Sequence, residues 1–418
     1  MTHNLSFLFV RDLVYFVRKN MLGARFYIKN MMLSRSYLDL WGEQMTVYLD
    51  MNATSPVLPE VAELVVNFMV KEYGNAGSRT HEFGNVAKKA VEIARKQVAD
   101  VVSADKSEVI FTSGATESNN IAILGLRDFA ENLNKKHIIT TRIEHKAVLE
   151  PIEHLVNNGF EVSYLNTDET GLVKASDLAN LLREDTFLVS IMHVNNETGS
   201  IQPLTELCDV LSSHHAYFHV DAAQSFGKLS EGLENSRIDM ISVSGHKLYA
   251  PKGIGALVMK RRGFTRPPLK AIMFGGGQEK SLRPGTLAVP LIAGLGLACE
   301  IAAKNSLLWQ KHALELKKSI IIELDKLSAK YNGNNTSPFV LNFSIPGVNS
   351  EAAMVMLKGV AAVSNGSACT SSSYTPSHVL SAMGLDSNRI KESIRMSWSY
   401  DVQELPLNPI IEKLKQLI

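Results

Sequence analysis

Cysteine is scarce in this chain. Three cysteines in 418 residues exclude a disulfide-knit fold, and no two of them lie at metal-ligand spacing. A reducing, cytoplasmic setting is the expectation for such usage. An excess of either charge is also missing. The 43 basic and 42 acidic residues leave a net charge of +1, so no direct nucleic-acid binding is expected. No apolar run in the sequence is long enough to span a bilayer, so no membrane span is expected. Internal repeats and low-complexity linkers are absent. What remains is an ordinary globular composition, 45% apolar and 20% charged, in a chain long enough to bury a large core.

Residues 1–45 stand apart. They carry six basic residues (Arg11, Arg18, Lys19, Arg25, Lys29, Arg35) against three acidic ones and are rich in Phe, Tyr, Leu and Met. Three readings suit this extension. It is an upstream start before a working protein that begins near Met45, an organellar transit peptide, or a basic amphipathic segment on a membrane surface.

From Thr46-Val47-Tyr48-Leu49 onward, short apolar runs alternate with helical patterns. Strands are predicted at Val109–Phe111, His137–Thr141, Phe187–Met192, Tyr217–Val220 and Met240–Val243. Helices are predicted from Ala115, around Ala147–Asn157 and around Leu204–His214. This alternation predicts an α/β fold with a largely parallel sheet, and such sheets bind ligands at the strands' carboxyl ends. A small-residue helix over Ala288–Lys304 and an amphipathic helix over Leu307–Lys330 come next. A strand at Phe339–Phe343 then opens a smaller α+β region. The boundary is expected near residue 305.

Polar residues of chemical interest follow the strands. Ser244-Gly245-His246-Lys247 brings a lysine to a strand end, where it can form a Schiff base. Alone, such a lysine would be a surface residue. Asp221 ends the preceding strand and suits either a helix cap or a cationic ring nitrogen. Ser113-Gly114-Ala115-Thr116-Glu117 opens a helix whose free N–H groups can bind an anion, with Ser244 and His246 as further donors. His145 follows another strand and can stack on a ring or shuttle protons. Asn196 can reach a ring hydroxyl. Together these residues suit pyridoxal phosphate, which needs a lysine, an acid for its ring nitrogen and a phosphate cradle. Cys369 sits in the small polar run Ser364–Ser373, an unusual place for a packing thiol. Cys208 and Cys299 lie in helical patterns and read as core residues.

The motifs Tyr48-Leu49-Asp50, Asn52-Ala53-Thr54, Ser78-Arg79-Thr80-His81, Phe111–Asn120, Glu144–Leu149, His193-Val194-Asn195-Asn196-Glu197, Ser244–Lys247, Arg283-Pro284-Gly285-Thr286 and Gly366-Ser367-Ala368-Cys369 occur in an order that resembles the cysteine desulfurase family. That family lies within the class V, fold-type-I pyridoxal-phosphate aminotransferase superfamily. The resemblance runs from about Tyr48 to about Ser399. It implies a large cofactor-binding domain at 61–305 with a mainly parallel seven-stranded sheet. It also implies a smaller α+β domain formed by 46–60 and 306–418, which carries the cysteine loop.

By the same resemblance, Lys247 is the Schiff-base lysine and Asp221 pairs with the pyridinium nitrogen. Gln224 and Asn196 contact the ring oxygen, and His145 stacks on the ring. Ala115, Thr116, Ser244 and His246 hold the phosphate, joined by Thr286 from the second subunit of a homodimer. Arg395, with Asn196, binds the substrate carboxylate. L-Cysteine becomes L-alanine, and Cys369 carries the sulfur as a persulfide to an acceptor protein, with His145 serving the thiol protons. The resemblance also makes Cys369 a transient iron–sulfur ligand, shared with a scaffold, since one thiol holds no cluster alone. The acceptor would serve iron–sulfur assembly, thio-modification or DNA phosphorothioation. The resemblance connects the chain's end at Ile418, soon after Arg395, with dedicated sulfur donors rather than with longer-tailed housekeeping relatives. A selenocysteine lyase or other class V pyridoxal-phosphate enzyme, and a catalytically silent partner or scaffold of the same fold, are the competing readings.

Overall fold

A computed structural model describes residues 46–366, 375–402 and 405–418. The extension 1–45 and Cys369 lie outside the described residues. Tyr48–Ile418 make up one compact unit.

In chain order, the elements that position the site are α1 (Pro59–Val70), α2 (Glu82–Asp100), β1 (Val109–Thr112), α3 (Ala115–Leu124), β2 (His137–Thr141), α4 (Lys146–Val156), β3 (Glu161–Leu165), β4 (Thr186–Ser190), α5 (Leu204–Leu211), β5 (Tyr217–Asp221), β6 (Met240–Ser244), β7 (Gly255–Met259), α6 (Val289–Asp325), β8 (Lys330–Tyr331), β9 (Val340–Ser344), α7 (His378–Ala382) and β10 (Ser393–Ser397). Seven strands form one sheet in the order β1-β7-β6-β5-β4-β2-β3. Only β7 runs against its neighbours β1 and β6. Each of β1, β2, β4, β5 and β6 therefore ends at the same edge. That geometry turns a scattered set of strand-end residues into one site.

The strands β1, β2, β4, β5, β6 and β7 are buried along nearly their whole length, as the continuous apolar runs require. One face packs under α3 and α4, where Ile121, Val148, Ile152 and Leu155 meet Ile110, Ile138, Phe187 and Leu257. Each such side chain contributes about 1.5–3 kcal/mol by leaving water. Two strands had no clear sequence signal: β3, at the sheet edge, and β7, which starts after a glycine turn.

The helix pair expected on either side of residue 305 is one continuous 37-residue helix, α6. Its composition would allow it to cross a membrane. Its small-residue face is instead buried against α1 and α2. A Cβ on Gly296 would stand 2.5 Å from Ala94 Cα, so only glycine permits this approach. Cys299 and Cys208 are buried in α6 and α5, as their helical patterns predicted. A second sheet, in the order β10-β9-β8, is antiparallel. It carries Arg395 opposite Asn342.

Candidate active site

The candidate phosphate turn begins where β1 meets α3. Gly114 lies at φ 156° and ψ 179°, and a Cβ there would touch nothing within 4 Å, so open space lies in front of the helix N-terminus. The N–H groups of Ala115 and Thr116 belong to the first turn, which has no intrahelical acceptors. Gly255 passes behind this turn. A Cβ on it would stand 2.6 Å from Gly114 Cα and 2.3 Å from Val243 O.

Asp221 ends β5 with 5% exposure. Its Oδ2 accepts from Asn119 Nδ2 at 2.8 Å, and its Oδ1 accepts from Ala223 N–H at 2.9 Å. Ser244 ends β6, buried beside it. His246 Nδ1 lies 3.1 Å from Thr54 Oγ1. Burial, reinforced by Lys247, Lys252 and Lys228, pushes the His246 imidazole down to about 4. It is thus neutral at pH 7 and able to share one ring proton in a hydrogen bond.

Lys247 completes the turn after β6. Its Nζ donates to Ala53 O at 2.7 Å and to Asn52 O. Asn52 O also accepts from Gln224 Nε2 at 3.0 Å. Asn52 Nδ2 donates to Asn196 O at 3.0 Å, and Arg395 Nη1 donates to the same carbonyl at 3.0 Å. Asn52 therefore joins Lys247, Gln224, Asn196 and Arg395 in one hydrogen-bonded network. The sequence offered Asn52 only as part of the motif Asn52-Ala53-Thr54, with no role of its own. Its partners lie more than a hundred residues away, so nothing local could reveal the role.

His145 caps α4, and its Nδ1 accepts from Ala147 N–H at 3.0 Å. That bond leaves the neutral ring's proton on Nε2. Burial holds this imidazole below its ordinary value; Asp221 opposes the shift and Lys247 reinforces it. Behind it, Glu144 is fully buried, and desolvation pushes its carboxyl up to about 8.

Arg395 is 3% exposed and pairs with Asp50 at 2.6 Å through Nη2. Its Nε is buried without a partner. The backbones of Arg395 and Ser364 exchange hydrogen bonds of 2.6 and 3.2 Å, which ties Ser364 to the strand that carries the guanidinium. Thr286 is exposed in this chain. Its loop is tied to α3 by Arg283, whose Nε meets Glu117 Oε1 at 3.0 Å.

Buried polar atoms normally have partners, so those that lack one indicate where a polar group belongs. Asn119 Oδ1, Gln224 Oε1 and Arg395 Nε are of this kind. With an anion-binding helix start, an aspartate and a lysine at one sheet edge, they fit a phosphorylated pyridine aldehyde and an amino-acid carboxylate. Ala115, Thr116, His145, Asn196, Asp221, Gln224, Ser244, His246, Lys247 and Arg395 all lie on the elements that frame this edge.

The aminotransferase class-V family model matches residues 47–404. The cysteine desulfurase IscS of Vibrio campbellii is 45% identical over 89% of this chain and 92% of its own length. Among solved structures, a NifS-like protein superposes with a TM-score of 0.82 at 37% identity, covering 89% of this chain and 99% of that one. DndA from Streptomyces lividans gives 0.74 at 50% identity, covering 83% and 98%. SspA in complex with cysteine gives 0.74 at 37% identity, covering 85% and 99%. The chain belongs to the aminotransferase class-V family and, within it, is a pyridoxal-phosphate-dependent cysteine desulfurase.

Proposed function

We propose that Lys247, His145 and Cys369 carry the conversion of L-cysteine to L-alanine, with the sulfur retained on Cys369. The single observation that carries this reading is the Asn52 network. It brings the amine of Lys247 and the guanidinium of Arg395 onto one hydrogen-bonded frame at the sheet edge.

Pyridoxal phosphate, when bound, supplies an electrophilic carbon for the substrate amine and an electron sink for the charge left at Cα. Lys247 would hold it covalently, Asp221 its ring nitrogen, and Gln224 and Asn196 its ring oxygen. The first turn of α3, with Ser244 and His246, would hold its phosphate. Arg395 binds the substrate carboxylate, using donors already aimed by Asp50 and Asn196. Lys247 Nζ takes the Cα proton and later returns it. Nε2 of His145 exchanges the thiol protons.

The Cys369 thiolate attacks the substrate sulfur. An S–S bond forms and the Cβ–S bond breaks, its electron pair staying with the carbon fragment, which leaves as L-alanine after protonation. Cys369 keeps the sulfane sulfur and passes it to an acceptor protein serving iron–sulfur, thio-modification or DNA phosphorothioation chemistry. We further propose a cytoplasmic homodimer in which Thr286 of the partner subunit reaches the phosphate. The exposure of Thr286 and of Phe274, which is 87% accessible, supports that pairing. We also propose the division into a large domain at 61–305 and a small one made of 46–60 and 306–418.

Cys369→Ser tests the central claim. Alanine formation from L-cysteine should fall to near zero while cofactor absorbance stays intact. Sulfide and alanine release at the wild-type rate would sink the assignment of Cys369.

A further inference from the structure

β1 is the last strand of its sheet, so one row of its backbone groups has no strand partner. Charged side chains take that row and its continuation instead. Val109 O accepts from Arg95 Nη1 at 2.8 Å, and Phe111 N–H donates to Glu279 Oε2 at 2.7 Å. Beyond the strand end, Ser113 N–H donates to Glu117 Oε2. Ser113 directly precedes Gly114, and Glu117 lies in the first turn of α3.

Each of these two carboxylates is held by an arginine. Glu279 accepts from Arg95 through both oxygens, at 2.6 and 2.9 Å, and its side chain is 1% exposed. Glu117 Oε1 meets Arg283 Nε at 3.0 Å. Burial works against ionisation of Glu117, but the Ser113 bonds and Arg283 outweigh it and hold the carboxyl below its ordinary value.

Glu279 and Arg283 belong to one short strap. Its ends are closed by Gly285 N–H, which donates to Gln278 Oε1 at 3.0 Å. Inside it, Glu279, Lys280 and Ser281 stand at φ 45°, 59° and 63°, three consecutive non-glycine residues in the left-handed region. A Cβ resists this region, and such a run persists only where its surroundings fix it. Here the Arg95–Glu279 pair fixes it, together with Lys280 Nζ, which donates to Ser107 O just ahead of β1. Gly114 has no side chain with which to cap α3, so the direction of the turn is set from outside. Anion binding by backbone N–H groups depends on that direction.

We propose that Glu279 and Arg283 are positioning residues for the cofactor phosphate: the strap that carries them braces the free edge of β1 and the first turn of α3, and so aims the N–H groups of Ala115 and Thr116. This inference rests on that turn being the phosphate site.

The test titrates full-length, cofactor-stripped protein with pyridoxal phosphate and, separately, with pyridoxal, following absorbance. The ratio of the two Kd values isolates what the phosphate contributes. Arg283→Met and Glu117→Gln should each raise the Kd for pyridoxal phosphate about five-fold or more and leave that for pyridoxal within about two-fold. The double variant should bind no worse than either single one, because both changes remove the same brace. Glu279→Gln should show the same selective loss; if it does not fold, the more exposed Arg283 and Glu117 variants decide. Wild-type affinity for pyridoxal phosphate in the strap variants overturns the proposal. So does an equal loss for both ligands, which would mark a purely structural role, or additive losses in the double variant, which would mean that Arg283 does not act through Glu117. Ala115→Pro removes one N–H at a helix position that tolerates proline. Undiminished binding of pyridoxal phosphate by that variant refutes the phosphate turn itself, an outcome distinct from unmoved strap variants beside a weakened Ala115→Pro.

Discussion

Asn119 donates a fully buried hydrogen bond of 2.8 Å to Asp221, joining the helix of the phosphate turn to the acid at the end of β5. A bond to a charged group contributes about 1.5–3 kcal/mol. Asn119→Ala should therefore raise the Kd for pyridoxal phosphate roughly ten- to hundred-fold. Absorbance titration of the apoenzyme measures it, and unchanged affinity would rule out this positioning role.

Arg395 commits Nη1 to Asn196 O and Nη2 to Asp50, leaving Nε for an incoming group. A lysine ammonium cannot reproduce this planar fork. Arg395→Lys should raise KM for L-cysteine about ten-fold or more with cofactor absorbance unchanged. Steady-state kinetics decide; an unchanged KM with a lower kcat would contradict carboxylate binding.

Buried titratable groups give the fold two opposed pH limbs. His219 lies between Ser190 Oγ at 2.8 Å and Ser242 Oγ at 2.9 Å, and burial pushes it down to about 4. His193 is pushed to about 4 for the same reason. An unfolded histidine takes up its proton near 6.5, which the folded form refuses until about 4. This stability is present above pH 6.5 and lost as pH falls towards 4. Glu144 acts in the opposite sense. Its carboxyl stays protonated to about 8 when folded against 4.5 otherwise, so its contribution is full below 4.5 and fades as pH rises to 8. Thermal melts across this range should show both limbs. Glu144→Gln should flatten the upper one, and an unaltered slope there would refute the assignment.

Gly255→Ala would force a Cβ to 2.3 Å from Val243 O and 2.6 Å from Gly114 Cα, both backbone atoms with no rotamer to yield. The substitution should destabilise the protein by about 1–3 kcal/mol in urea unfolding. It should weaken cofactor binding as well, because the displaced residue is the start of the phosphate turn. Wild-type affinity in a destabilised variant would separate the turn from the site.

The buried strands were legible because a run such as Tyr217-Phe218-His219-Val220 is apolar over a strand's length and bounded by polar turns. The residues that follow those strands were legible for the same reason. Length misled at α6. Leu307 and Leu308 shift the apolar face near residue 305, and this reads as a break, but no proline or glycine interrupts the backbone there and the helix continues. The strand β7 was missed because its direction is set by the glycine turn and by pairing with β1 and β6, neither of which its own five residues encode.

The sequence by itself determined the kinds of chemistry available. An amine, an acid, an imidazole and an anion-binding turn each follow a strand, and local pattern alone puts them there. Tertiary structure decided which of them meet. Asn52 reaches Asn196 across 144 positions and Lys247 across 195, and Glu197 reaches Ser377 across 180. The reversal of β7 leaves the other strand ends at one edge, and burial then moves the histidines and Glu144 from their ordinary protonation. The physical reason is one of range. Periodicity and capping act within a few residues, while hydrogen-bond partners and desolvation depend on what the folded chain brings alongside.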